Sequence, residues 1–271
     1  MFPESISEQL LFNTVKLVAS DDSSGTGSFF NFNIDGRSVP TIITNKHVVL
    51  NKAFEIVKFS FHLKNSDGSY DNYEVSYPTP WIHHPIFDLC FCFVNPLFEA
   101  VNEKTGKRVY LISNTEEYIP TKQKLENLTA LEETVMVGYP IGLSDERNNY
   151  PIFRKGYTAA HPAIDFNEDG IGLVDMACFP GSSGSPIYIL NEGGYVDKHG
   201  NLNWGSSRLF FLGVLFAGPQ YNAEGQIIKV SPTNVSIRTG VMTNLGYYIK
   251  SSAILDFKDM IKRILVETKQ V

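Results

Sequence analysis

The chain has 271 residues, 43% of them hydrophobic and 19% charged, and a net charge of −6. That balance suits a globular protein with a substantial core, and it argues against a nucleic-acid partner, which an exposed basic face would advertise. The N-terminal stretch MFPESISEQLLFNTVKL carries Glu4 and Glu8 where a secretory leader would be apolar, and no apolar run approaches the roughly 18 residues of a membrane span.

Ser5-Ile6-Ser7-Glu8 reads as a capping box that opens a short N-terminal helix containing Leu10 and Leu11. Short strands dominate after it: TVKLVA, TGSFFNFNI, VPTIITN, FEIVKFSFH, DLCFCFV, TVMVGYP, RLFFLGVLFAG and VSIRTGVMTN, each bounded by Gly, Pro, Asn, Asp or Ser. Between them, residues 113–133 are polar, weakly periodic and broken by Pro120, as an interdomain crossover would be. Ile254, Leu255, Phe257, Met260, Ile261, Ile264 and Leu265 then form the apolar stripe of a longer C-terminal helix. The expected fold is therefore all-β: two antiparallel six-stranded barrels, residues 1–112 and 134–271, joined by that crossover, with helical periodicity convincing only at the two ends.

The stretch PGSSGSP, residues 180–186, sets Ser183 between glycines, but a serine hydroxyl needs a base to become a nucleophile. Of six histidines, His47 stands where the β-branched run TIIT passes into a polar turn, the position of a cleft residue. Asp88 opens the strongly apolar run LCFCFV, where a carboxylate needs a partner; hydrogen-bonded to an imidazole Nδ1 it would fix the ring's tautomer. Gly181 and Gly184 allow a tight turn in which the amides of Gly181 and Ser183 form an oxyanion hole. The adjacent pair His83 and His84 points apart on an extended chain and reads as loop, as does His161. Cys90 and Cys92 share one strand face and read as core. With Cys178 far along the chain, the three cysteines have no framework spacing, so reduced thiols and a cytoplasmic location are expected.

Together GTGSFF (25–30), ITNKHVV (43–49), DLCFCFV (88–94), VGYPIG (137–142) and ACFPGSSGSPIY (177–188) resemble a trypsin-like, chymotrypsin-fold serine peptidase of the bacterial type. The family's G-D/N-S-G-G/S-P, T-x-x-H and D-[IL]-A-[LV] patterns fall on Gly181 to Pro186, Thr44 to His47 and Asp88 to Phe91. The resemblance implies a hydrolase with a catalytic triad of Ser183, His47 and Asp88, no metal or organic cofactor, and a protein or peptide substrate. Ser182 stands where the digestive members hold an aspartate, so their activation by a liberated N-terminus is not expected; the alternatives are a chain active as synthesised or one controlled by a signal or by an activating or inhibitory protein partner. By position, the resemblance lines the primary pocket with Ala177, Cys178, Leu215, Phe216, Ala217, Gly218 and Gly246. None is charged, and the expectation is a small or apolar P1 residue. A catalytically silent protease-fold scaffold or peptide-binding protein is the reading from another class.

Overall fold

Alternation builds the first sheet. In the computed structural model, which describes residues 2–227 and 235–267, the strand from Phe54 to Lys64 buries Val57, Phe59, Phe61 and Leu63 at every second position. This half holds nine strands: β1 (Thr14–Val18), β2 (Ser24–Ile34), β3 (Arg37–Thr44), β4 (Phe54–Lys64), β5 (Tyr70–Pro80), β6 (Ile82–His83), β7 (Cys90–Phe93), β8 (Arg108–Tyr110) and β9 (Asn114–Thr115). Their order is β5-β4-β1-β2-β3-β7-β6, with β8 added to β4 and β9 running parallel to β2.

The second half contains β10 (Glu133–Gly138), β11 (Ile152–Thr158), β12 (Ile171–Asp175), β13 (Pro186–Asn191), β14 (Gly194–Val196), β15 (Leu202–Trp204), β16 (Arg208–Ala217), β17 (Gln220–Ile227), β18 (Val235–Met242) and β19 (Leu245–Lys250). Six of these close a barrel in the order β10-β11-β12-β19-β16-β13, and β14-β15 and β17-β18 are separate two-stranded hairpins. The fold is thus all-β, one closed six-stranded barrel beside a curled open sheet, an arrangement compatible with the chymotrypsin-like fold.

The first sheet departs from the expected closed barrel. Its end strands β5 and β6 are consecutive in the chain, joined by the single residue Trp81, so it curls back through covalent connection rather than a hydrogen-bonded ladder. Pro78 and Pro80 contribute to this, because they remove two amide donors from the last turn of β5.

Three apolar clusters hold the two halves. Phe29, Ile42, Phe59, Phe61, Cys90 and Cys92 fill the first sheet, and Met136, Cys178, Ile187, Leu212 and Leu215 fill the barrel. Phe30, Phe32, Ile43 and Phe91, on the opposite faces of the same first-half strands, meet Val135, Val137, Tyr188 and Phe211 in a third cluster shared by both halves. That sharing explains why FFNF and LCFCF lack polar alternation: both faces of β2 and β7 are buried. The three cysteines are free and buried.

Helix α1 (Ile6–Leu10) opens with the expected capping box, Ser5 and Glu8 each bonding the other's backbone. Two helices were not legible: α2 (Asn95–Thr105), which starts at a proline, buries Leu97 and Val101 and ends on Gly106 at φ 68°, and the short α3 (Lys122–Glu126) within the crossover. At the C-terminus, a 3-10 segment over Ser251–Asp256 leads into α4 (Phe257–Glu267). Ile254, Phe257 and Ile261 enter the shared cluster, and the Phe257 ring lies 4.8 Å from that of Phe91. Among the described residues, no helix is long and apolar enough to cross a membrane. Truncating a fully buried ring leaves a cavity, so Phe257→Ala should lower stability by about 3–5 kcal/mol, read as a shifted urea midpoint.

Candidate active site

The register of β3 against β7 brings His47 and Asp88 together. Thr44 pairs with Cys90 and Ile43 with Phe91, so the residues just after β3 lie beside those just before β7. His47 begins a one-turn 3-10 segment, His47–Val49, that is anchored by the buried side chains of Val48 and Val49. Gly25 makes room for it, since a Cβ there would stand 2.5 Å from Val48 Cγ1. Asn45 then ties the two segments, its Nδ2 donating to the Asp88 carbonyl at 2.8 Å.

Asp88 engages His47 twice. Its Oδ2 lies 2.5 Å from the ring Nδ1, and its Oδ1 accepts the His47 amide at 3.2 Å. Burial pushes the Asp88 carboxyl up, but the His47 ring, its charge and the amides of His47 and Lys46 outweigh this and hold it below the usual carboxylate range. An ionised carboxylate at that position accepts a hydrogen bond from Nδ1–H, which fixes the tautomer with its lone pair on Nε2. The pair is open to solvent, with side-chain exposures of 40% for His47 and 29% for Asp88.

Ser183 sits on two successive tight turns. Phe179-Pro180-Gly181-Ser182 closes by the Ser182 amide to the Phe179 carbonyl at 3.0 Å, and Ser182-Ser183-Gly184-Ser185 by the Ser185 amide to the Ser182 carbonyl at 3.0 Å. Gly181 and Gly184 occupy the third positions at φ 85° and 84°, the signature of type II turns. Gly184 is required for space as well: a Cβ there would meet the Thr26 carbonyl oxygen at 1.9 Å and Thr44 Oγ1 at 2.5 Å. The Ser183 carbonyl accepts the Thr26 amide at 2.8 Å, and Thr44 Oγ1 donates to the Thr26 carbonyl at 2.7 Å. Ser183 and the strand leading to His47 are thus held by one residue of β2.

The Pro180 carbonyl accepts the Ile141 amide at 2.6 Å. Because the intervening peptide is trans and planar, this turns the Gly181 N–H away from Ile141. Among the described residues, neither the Gly181 nor the Ser183 amide has a backbone partner. Ser183 Oγ makes no hydrogen bond to His47 there, and the buried Ser182 Oγ has no partner. Ile141 itself, third residue of the turn Tyr139-Pro140-Ile141-Gly142, adopts φ 55° and is 71% exposed as a residue. Few β-branched residues accept that conformation, and strain of this kind concentrates at functional sites.

Of the expected pocket residues, Ala177, Phe216, Ala217 and Gly218 are partly exposed, whereas Cys178, Leu215 and Gly246 are buried against one another. A Cβ on Gly246 would lie 2.5 Å from Cys178 Sγ and 2.8 Å from Leu215 Cδ1. Burial pushes the Cys178 thiol up to about 12, so it is no nucleophile. Phe216 is the extra residue of a bulge in β16 against β19, and with Phe166, Asn167, Glu168, Ile171 and Tyr247 it lines a cavity of about 320 Å³.

One histidine departs from its sequence reading: His83 was expected in a loop and lies in β6. His84 lies in the loop after β6, as expected, but is buried there: its Nδ1 accepts the amides of Ile86 and Phe87, and its Nε2 lies 3.2 Å from Asp256 Oδ2. Arg154 on β11 was not considered; it is half-buried, faces the barrel interior opposite Met136, and its guanidinium carbon lies 4.8 Å from the centre of the Phe179 ring. The strand sequence IFRKGYT offers only its alternation, with Phe153, Lys155 and Tyr157 outward, as a signal for Arg154. His83 pairs with Cys90 across β6 and β7 and bonds the Lys52 carbonyl, whereas His161 accepts the Ala163 amide within its own turn, as a loop residue does.

No family model matches this chain, and no curated protein matches it.

The Ile141 strain is measurable. Ile141→Gly should raise stability by about 1 kcal/mol in urea unfolding, because glycine adopts the left-handed region without steric cost. Asp88 carries a second expectation. Its folded value is lowered, so the pair stabilises the fold above the usual carboxylate range and loses that contribution as pH falls through the lowered value. Urea midpoints of wild type and Asp88→Asn should therefore differ near about pH 7 and converge towards about pH 3.

Proposed function

We propose that this chain is a serine endopeptidase that hydrolyses peptide bonds in a protein substrate through an acyl-enzyme. Ser183 Oγ attacks the scissile carbonyl while His47 Nε2 takes its proton, and the amides of Gly181 and Ser183 receive the charge that develops on the carbonyl oxygen. His47 passes the proton to the leaving amine, and a water activated by the same nitrogen then releases the acid and regenerates the Ser183 hydroxyl. Asp88 holds the ring and stabilises its charged form. In this reading the curled sheet is the first of two barrels, with the site between it and the closed one.

The carrying observation is the Asp88 carboxylate, which receives both the ring Nδ1 and the amide of His47. A merely structural aspartate at a strand entry needs no histidine, and a histidine placed by packing would not be left 40% exposed. The unengaged Ser183 hydroxyl suits a site tightened by its substrate or by a protein partner, since catalytic hydrogen bonds are often long without substrate.

Incubation with a fluorophosphonate probe, followed by intact-mass measurement, tests the reading. Wild type should gain one adduct and Ser183→Ala none, and on any cleaved peptide the variant should lose about a millionfold in turnover. A folded wild type that gains no adduct would favour the silent scaffold.

A further inference from the structure

Among the described residues, Arg154 is a cation without a counter-ion. Among the described residues no carboxylate lies within ion-pair distance of it, its guanidinium makes no hydrogen bond, and Nε is buried and unpartnered. A partly desolvated, unpaired cation is costly, and stacking on the Phe179 ring offsets only part of that cost. Such a group is expected where an anion completes it.

The position says which anion. Phe179 belongs to the turn that carries Gly181, and the neighbouring residue Cys178 is near enough that the Arg154 charge bears on its thiol, though burial dominates there. Cys178 contacts the Gly246 and Gly218 positions and packs in one cluster with Leu215 and Met136, the latter directly across from Arg154 on β10. The guanidinium therefore stands against the wall to which the residue preceding the scissile bond would be delivered, if Ser183 is the nucleophile. With a net charge of −6, the chain offers no long-range attraction for an acidic substrate, so discrimination must come from contact.

We infer that Arg154 is the specificity-determining residue of this site and that the protease cleaves after an acidic side chain, glutamate or aspartate at P1. This rests on the serine peptidase reading and replaces the small or apolar P1 expected from the seven uncharged pocket residues. A guanidinium presents planar paired donors that match a carboxylate bidentately, whereas the isosteric amide of glutamine leaves one donor facing another.

Peptidyl diphenyl phosphonates identical except at P1 (Glu, Gln or Leu) separate the two claims when run beside the generic fluorophosphonate. On wild type the Glu probe should modify Ser183 roughly 100-fold faster than the Gln probe. Arg154→Gln should bring that ratio close to one, and Arg154→Lys, which keeps the charge but not the fork, should fall between. Generic labelling with no preference for Glu over Gln and Leu would overturn the assignment while leaving the peptidase reading intact, as would a preference that survives in both variants. Failure of folded wild type to take even the generic probe would remove both.

Discussion

Thr26 holds the two halves of the site in register. Its amide donates to Ser183 and its carbonyl accepts from Thr44, while its hydroxyl accepts from the Tyr139 amide and from Ser185 Oγ, with Gly181 O at 3.4 Å. A hydroxyl has one proton and two lone pairs, and here all three are engaged. The residue is fully buried, so each of these contacts is made in a low-dielectric setting where an unmade one would be expensive. Three segments far apart in sequence, the His47 approach, the Tyr139 turn and the Ser183 turns, thereby take their positions from one side chain and one peptide of β2.

Around that fixed point the candidate catalytic groups are held by backbone rather than by their own contacts. His47 and Asp88 form a short but solvent-open pair, and such a pair adds little to stability. Their geometry comes instead from the β3–β7 ladder, the Asn45 bond and the packing of Val48 and Val49. Ser183 likewise owes its place to two glycines with positive φ and the closeness of Thr26, not to any bond of its hydroxyl. Among the described residues, the arrangement leaves Nε2 and the two loop amides without hydrogen-bond partners.

What the sequence disclosed follows from how local the physics is. Pro180-Gly181 and Ser183-Gly184 specify type II turns from four residues each, and the approach of His47 to Asp88 follows once β3 and β7 are recognised as neighbours. Alternation located β4, but β2 and β7 were recognisable only as apolar runs, because the shared cluster buries their second face. Helix α2 escaped notice since only Leu97 and Val101 are buried along its eleven residues, although Pro96 and Gly106 marked its ends. The open edge at Trp81 depends on the hydrogen bonding of whole strands. His84 and Arg154 were illegible for the same reason: the worth of each lies in a partner distant in sequence, Asp256 for one and Phe179 for the other.

The ends of the chain are exchanged between the halves. Helix α1 precedes the first sheet, yet its Ile6 and Ser7 amides are held by Glu192, which lies between β13 and β14 of the second half. Helix α4 follows the barrel, yet Phe257 packs on Phe91 and His84, and Lys258 pairs with Glu116 at 2.7 Å. During synthesis the first sheet therefore emerges with an apolar face that the barrel strands cover first and Phe257 completes last. Contacts so distant in sequence form late. The bond from the Thr26 amide to the Ser183 carbonyl can form only once residue 183 has emerged, so the His47 and Ser183 sides come together no earlier than that.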